Sequence, residues 1–222
     1  MTVTPRPSGR RDGEAVDAIV NVRMLTRRFG ERTVLRDLSL SLRARERLAV
    51  LGRNGAGKTT LLRCVAGSLL PSSGSVAVGG GPPSRPETRA QIGAVLPGDR
   101  SFALRLSGRE NLRFFARVRL RGDRRAERAV EEIAAELELH EILDRRVSAC
   151  STGMVQQLAF ARALLGDPAV LVLDEPTRSL DDSAGSRLWA ALDRRPELTI
   201  LIATHRPEEA ARCGARLHLR GP

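Results

Sequence analysis

The sequence predicts an α/β fold with a mostly parallel sheet, an N-terminal antiparallel β part and an inserted helical lobe. Apolar runs of strand length recur at 48–51, 170–173 and 199–203. Such continuous runs are typical of strands buried on both faces of a parallel sheet, and helical patterns separate them. Near the N-terminus, residues 19–25 and 38–42 alternate apolar and polar side chains instead. This alternation predicts half-buried strands.

The length of 222 residues and a hydrophobic content of 41% fit one domain with its own core. Residues 1–17 are rich in proline, glycine and arginine, and we expect a flexible leader there. The remaining residues, 18–222, form the predicted domain. Two charged helical patterns, at 110–118 and 125–139, interrupt the strand series. We therefore expect a helical subdomain inserted at about 87–155.

The charge and the cysteines limit the classes of partner. The formal net charge is +11, but the positive charge is scattered arginine, with Lys58 as the only lysine, and aromatics make up only 3%. We therefore expect no nucleic-acid ligand. The net positive charge is a weaker indication of an anionic partner such as a lipid surface. Cys64, Cys150 and Cys213 lie too far apart for a metal site and indicate reduced thiols in the cytoplasm. No apolar stretch is long enough to span a membrane, so any membrane role is predicted to be peripheral.

A glycine-rich loop carries the strongest chemical signal. Residues 52–59 match G-x-x-x-x-G-K-[ST] between a buried strand and a helix predicted from 57 to about 70, as in a P-loop NTPase core. Backbone N–H groups can converge on phosphates there, Lys58 can reach the β and γ phosphates, and Thr59 can bind Mg²⁺. A plain helix-capping turn would not need the Lys-Thr pair. The predicted nucleotide-binding residues of this loop are Gly52, Arg53, Asn54, Gly55, Ala56, Gly57, Lys58, Thr59 and Thr60.

Two carboxylates follow the buried strand at 170–173. Ligands bind at the carboxyl ends of strands in such sheets, so we expect Asp174 to hold Mg²⁺, directly or through water. Glu175 is the predicted general base that activates the attacking water. A solvated turn at the end of a strand would explain these residues on their own, but the phosphate loop favours the catalytic interpretation.

The run Cys150-Ser151-Thr152-Gly153-Met154 precedes a predicted helix and resembles the signature of the ATP-binding cassette (ABC) family, usually Leu-Ser-Gly-Gly-Gln. Ser151 and Gly153 agree with the signature, whereas Cys150, Thr152 and Met154 depart from it. A helix that begins at Ser151 offers free N–H groups to a phosphate. The resemblance implies that Ser151, Thr152 and Gly153 contact the nucleotide of a second cassette.

Further matches to the family extend over almost the whole chain from about residue 19. Phe29 is similar in position to the aromatic residue that stacks on adenine, and residues 179–181 resemble the loop that touches the opposing subunit. His205 resembles the switch histidine that contacts the γ phosphate. The resemblance implies an ATPase that acts as a dimer with an identical or homologous cassette and uses ATP and Mg²⁺. Closure of this dimer would drive transmembrane subunits through the inserted lobe.

One expected residue is missing. The glutamine that the family carries after 92–96, a contact to Mg²⁺, water and the membrane subunit, is replaced here by Pro97, Gly98 and Asp99. Because Asp99 lies within two residues of the expected position, we predict that it supplies an oxygen ligand to the metal instead.

The favoured function is therefore a transport ATPase on the inner face of the cell membrane, with export indicated by stretches at 100–102 and 105–112 that resemble export-type cassettes. A soluble cassette ATPase acting on macromolecules is a second possibility, but Ser151 follows Lys58 too closely for a long intervening coiled coil. A soluble iron-sulfur assembly ATPase also remains open. A third possibility is a non-hydrolysing nucleotide-binding module, which the presence of Glu175 and His205 opposes.

Overall fold

The computed structural model describes residues 18–98, 101–120 and 122–221. The predicted leader at 1–17 and the predicted metal ligand Asp99 lie outside the described residues. The strands in chain order are β1 Ala18–Phe29, β2 Arg32–Arg43, β3 Arg47–Leu51, β4 Ser73–Val78, β5 Ile92–Val95, β6 Val170–Asp174, β7 Thr199–Ala203 and β8 Ala215–His218. The helices are α1 Lys58–Val65, α2 Pro86–Ala90, α3 Gly108–Arg119, α4 Asp123–Glu136, α5 His140–Leu143, α6 Thr152–Leu164, α7 Asp182–Asp193 and α8 Pro207–Ala211.

Five strands form a parallel sheet in the order β5-β6-β7-β3-β8. Every residue of β6 and β7 is buried, as their uninterrupted apolar sequences predict. Strands β6 and β7 end side by side, with Asp174 paired to Ala203. The residues that follow these two strands therefore emerge together at one edge of the sheet.

Three strands form the predicted antiparallel part, in the order β2-β1-β4. Strand β4 was not predicted, because Pro71 and Gly74 indicated only a break after the first helix. Its first three residues are exposed and polar or glycine. Pairing with β1, from Val20 to Thr26, creates this strand. A contact between segments so distant in the sequence leaves no local pattern.

The first helix is shorter than predicted. It ends at Val65 instead of continuing to about residue 70. Gly67 has φ 71°, and an added Cβ there would lie 2.5 Å from the carbonyl oxygen of Pro83. The chain leaves the helix at this point because a left-handed residue and a close backbone approach both require glycine.

Helices α3 to α5 lie between β5 and α6 in the chain, where the inserted lobe was predicted. Ser107 begins α3 with a capping box, in which its hydroxyl accepts from Glu110 N and the Glu110 carboxylate accepts from Ser107 N. The boundaries at about 87 and 155 stay a prediction, and β5, which lies inside them, pairs with β6 in the parallel sheet. None of the helices in the described ranges is long and apolar enough to cross a membrane.

Candidate functional site

The phosphate loop joins β3 to α1 at the carboxyl edge of the parallel sheet. Gly57 caps α1 with φ 96°, and an added Cβ would lie 2.7 Å from Leu35 Cδ2. Gly52 has φ 148°, and its added Cβ would lie 2.5 Å from the carbonyl oxygen of Leu219. A side chain at Gly52 would collide with the backbone, and one at Gly57 with the Leu35 side chain. Both positions also have a positive φ that other residues rarely adopt, so glycine suits the shape of the loop at both.

Lys58 is buried inside this loop. Its ammonium group donates to the carbonyl oxygens of Gly52 at 2.7 Å and Arg53 at 3.3 Å, and it lies 3.2 Å from His205 Nε2. An ammonium group has no acceptor, so the last contact requires Nε2 to accept and Nδ1 to carry the proton. The only lysine of the chain is thus fixed between the phosphate loop and the predicted switch histidine.

Thr59 and Asp174 form an oxygen pair beside the lysine. The Thr59 hydroxyl donates to Asp174 Oδ2 at 2.5 Å. Burial raises the pKa of the Asp174 carboxyl, while the bond from Thr59 and the nearby charge of Lys58 act in the opposite direction. A proton therefore competes with a cation for this carboxylate at higher pH than it would at an exposed aspartate.

The Thr59 and Asp174 oxygens suit a hard cation such as Mg²⁺. Among the described residues, no group of three or more histidine, cysteine, aspartate or glutamate side chains is close enough together to hold a metal. Mg²⁺ commonly binds through one or two carboxylates, with substrate phosphates and water completing its shell. The donor set found here fits that mode of binding.

Glu175 directly follows β6 and has φ 49°, in the left-handed region that a glutamate rarely adopts. Its N–H donates to the Ala203 carbonyl at 2.9 Å, which fixes the turn. Its Oε1 lies 3.4 Å from His205 Nε2, is buried, and accepts no hydrogen bond from the described residues. The turn thus presents an acceptor with unused lone pairs to the cleft.

These groups line one cleft of about 590 Å³, within the size range of small-molecule sites. The predicted residues that line it are Asn54, Gly55, Gly57, Lys58, Thr59, Thr60, Asp174, Glu175 and His205. Three other predicted loop residues do not line the cleft. Gly52 and Arg53 hold Lys58 through their carbonyls, and Ala56 is buried. The structure thus brings both halves of the predicted site together, although the ligand each residue contacts stays a prediction.

Three arginines also line the cleft, and no sequence motif indicated them. The guanidinium groups of Arg32, Arg178 and Arg206 form no hydrogen bond or ion pair with another described residue. Among the described residues, the lining contains two carboxylates, Asp174 and Glu175. The positive excess suits a polyanion. No local pattern distinguishes these arginines from the others in the chain.

The predicted signature lies elsewhere on the surface. Ser151 caps α6 by accepting from Met154 N at 3.2 Å. Ser151 and Thr152 are exposed, and neither they nor Gly153 line the cleft. A Cβ on Gly153 would lie 2.5 Å from the carbonyl oxygen of Ser179, so the start of α6 packs closely on the segment that follows Glu175.

Phe29 ends β1 and is half exposed. The Arg27 guanidinium lies 4.6 Å from the centre of its ring. Phe29 does not line the cleft, but its partner across the β1–β2 hairpin, Arg32, does. Its predicted stacking on adenine is neither shown nor contradicted by this position and stays a prediction.

Pro97, in the stretch where the family has its glutamine, lines the nucleotide cleft and also a second cleft of about 630 Å³. The described residues that line the second cleft include no carboxylate, and its arginines are Arg63, Arg89, Arg119 and Arg162. Neither Pro97 nor Gly98 can offer the side-chain amide of a glutamine. Because Asp99 is outside the described residues, its predicted role as metal ligand stays open to experiment.

Comparison with known proteins agrees with this geometry. The family described as "ABC transporter" matches residues 35–178, more than half of the chain. The Nod factor export ATP-binding protein I of Rhizobium meliloti is 39% identical over 204 residues, which cover 89% of this chain and 60% of that protein. The ABC transporter ATP-binding protein NatA of Bacillus subtilis is 34% identical over 192 residues, covering 83% of this chain and 78% of that protein.

Among solved structures, the dimeric bacterial ABC transporter cassette MJ0796 superposes with a TM-score of 0.82 at 23% identity, covering 90% of this chain and 94% of that chain. This likeness confirms the predicted fold class. The chain spans about 60% of the length of the first of these relatives. On the family match and the identity to NatA, the chain belongs to the ABC transporter family and carries its ATPase domain.

Proposed function

We propose that this chain is the ATP-hydrolysing subunit of an ABC transporter, that it acts as a cassette dimer, and that it drives export through separate membrane subunits. The observation that carries the proposal is the convergence of Lys58, the Thr59–Asp174 oxygen pair and Glu175 in one cleft. These groups match the three needs of ATP hydrolysis, which are phosphate binding, metal coordination and activation of water.

Binding of the triphosphate rests on charge and on backbone donors. The free N–H groups at the start of α1 would face the phosphates, and the Lys58 ammonium would add a full positive charge beside them. The arginines of the cleft add further attraction for a polyanion. Mg²⁺, held by Thr59 and Asp174, would neutralise part of the phosphate charge.

Hydrolysis then needs a base for water. Glu175 Oε1 accepts no hydrogen bond from the described residues, so no protein donor competes with the attacking water for its lone pairs. As the water oxygen bonds to the γ phosphorus, the bond from that phosphorus to the bridging oxygen breaks and a water proton passes to the Glu175 carboxylate. His205 Nε2 lies 3.4 Å from Glu175 Oε1 and 3.2 Å from Lys58 Nζ and would contact the same phosphate.

A dimer is proposed because the signature is exposed and does not line the chain's own cleft. The N–H groups at the start of α6 can receive a phosphate, so they would serve the cleft of a second cassette. The dimeric form of the MJ0796 cassette, which shares the fold, supports this arrangement. The experiment below tests the pairing of two identical chains.

Ser151→Arg tests the dimer. The start of α6 and the cleft of the second cassette would together form one composite site. A large cation at the start of α6 is expected to block this site and lower hydrolysis at least about tenfold, because phosphate-binding donors of this kind act in the transition state. Binding of ATP to the single chain should stay within about twofold, since Ser151 does not line the cleft. The measurements are phosphate release at several chain concentrations and ATP titration.

Ser84→Arg, the same change at an exposed serine in a loop, is the matched control and should hydrolyse ATP like the unmodified chain. In the unmodified chain the rate per chain should rise with concentration as dimers form. Equal rates in both variants would contradict the composite site. Absence of hydrolysis in the unmodified chain, with ATP binding intact, would favour the non-hydrolysing module.

The membrane partner is proposed to dock at the second cleft. Among the described residues its lining holds no carboxylate, and its exposed arginines, Arg63 and Arg89, suit an acidic segment of a membrane subunit. Pro97 lines both this cleft and the cleft proposed for the nucleotide. The chain would then be peripheral on the inner face of the membrane. The names of relatives that act in export support the direction of transport.

Charge reversal tests the docking. The double variant Arg63→Glu, Arg89→Glu is expected to lose most of its co-purification with a multi-span protein from detergent-solubilised native membrane, because like charges then face each other. Reversal of two exposed arginines on β1, Arg23→Glu with Arg28→Glu, should leave co-purification unchanged. Capture of a soluble companion instead would favour the soluble ATPase.

A further inference from the structure

Glu209 is a buried carboxylate that the proposed hydrolysis does not use. It lies on α8, and only 2% of the residue is exposed. Its Oε1 accepts from the Thr177 hydroxyl and its Oε2 from the Thr204 hydroxyl. Both threonines are also buried. A buried carboxylate is costly unless it is bonded, and here each carboxylate oxygen has a hydroxyl partner.

The two threonines belong to the two loops that carry the proposed catalytic groups. Thr177 is two residues after Glu175, and Thr204 directly precedes His205. The sheet pairing of β6 with β7 ends at Asp174 and Ala203, and one further backbone bond joins Glu175 N to Ala203. Beyond that bond, Glu209 joins the two loops through their side chains.

Thr204 also orients the backbone at His205. Its hydroxyl accepts from Arg206 N at 3.0 Å and donates to Glu209, so His205 lies within a small hydrogen-bonded turn. On the other loop, Arg178 N donates to the Glu175 carbonyl at 3.2 Å, which closes a turn around Thr177. A movement of Glu209 would therefore reach both turns at once.

We infer that Glu209 is a positioning residue for ATP hydrolysis, because it ties the Thr177 and Thr204 turns together and so keeps Glu175 and His205 in reach of the same phosphate. This inference rests on the proposed function. The contact it maintains is the 3.4 Å separation of Glu175 Oε1 from His205 Nε2. Hydrogen bonds to a charged acceptor are stronger than neutral ones, which suits a tie between two loops.

Two variants, Glu209→Ala and Glu209→Gln, separate the loss of the hydrogen bonds from the mere replacement of the side chain. Glu209→Ala cuts both bonds and is expected to lower kcat roughly ten- to a hundredfold, because small displacements of catalytic groups cost that much. The Kd for ATP should change by less than about twofold, since Glu209 does not line the cleft. Glu209→Gln, whose amide can accept from one threonine and donate to the other, should keep kcat within about threefold.

The control is Glu208→Ala, which removes an exposed carboxylate from the adjacent position of the same helix. It should match the unmodified chain in kcat, Kd and thermal midpoint. Hydrogen exchange by mass spectrometry gives a readout independent of turnover. In Glu209→Ala, exchange should rise at 174–180 and at 203–207 together, and stay unchanged in β1, β2 and α4.

Two results would overturn the inference that Glu209 joins the two loops. One is an unchanged kcat in Glu209→Ala, and the other is hydrogen exchange that rises in only one loop or uniformly across the chain. If the unmodified chain does not hydrolyse ATP, the proposed function fails. The exchange experiment still decides whether Glu209 joins the loops, so the two failures are distinguishable.

Discussion

Lys58→Ala is expected to weaken ATP binding by roughly two orders of magnitude or more, about 3 kcal/mol, because charge-assisted bonds to phosphate are lost in a buried site. The ammonium is buried and held by the Gly52 and Arg53 carbonyls inside the loop. Its removal also leaves these carbonyls without their donor. Hydrolysis should fall with binding.

Arg53→Ala is the matched control for the lysine. It also removes one positive charge from the loop, but the Arg53 side chain does not line the cleft and only its backbone carbonyl takes part. ATP affinity in this variant should stay within about threefold, as expected for a screened surface charge. Calorimetric titration with ATP measures both variants. Equal losses would show that overall charge, not the buried ammonium, determines affinity.

How much the sequence could predict differs between the two halves of the site. Residues 52–59 and Asp174–Glu175 could be located because each motif is continuous and adjoins an apolar strand. The strand identifies the edge of the sheet and the motif identifies the chemistry. The convergence of Lys58, Thr59, Asp174 and Glu175 then follows from the order β6-β7-β3 in a parallel sheet.

Other features could not be read locally. Strand β4 exists because it pairs with β1, and Gly67 ends α1 where the helical pattern continues. Arg178 and Arg206 enter the cleft from two different loops, and nothing in their neighbours marks them. Contacts between segments far apart in the chain determine each of these features, so a periodicity search does not find them.

The role of Glu209 is also invisible in the local sequence. Nothing in the local sequence assigns a role to Glu209, since glutamate is usually a solvated residue. The structure buries this side chain against two threonines from different loops. Only the fold reveals that these two loops need a common acceptor.

Glu175→Gln is expected to lower the rate of hydrolysis by roughly 10²- to 10⁴-fold, the usual contribution of a general base. Glutamine has the same size and can adopt the same turn, but its amide cannot accept the water proton. ATP binding should remain, since Lys58 and the Thr59–Asp174 pair are unchanged. The variant should therefore accumulate as an ATP-bound dimer, because ATP hydrolysis, the step that allows the closed dimer to open, is blocked.

Size-exclusion chromatography with light scattering, with and without Mg²⁺ and ATP, measures this dimer, and phosphate release measures the rate. Glu208→Gln, the same chemical change at an exposed position, should hydrolyse normally and show no trapped dimer. A Glu175→Gln chain that hydrolyses at an unreduced rate would exclude the carboxylate as the base. A chain that binds ATP and yet stays monomeric would contradict the composite site, because that site requires the exposed start of α6 from a second cassette.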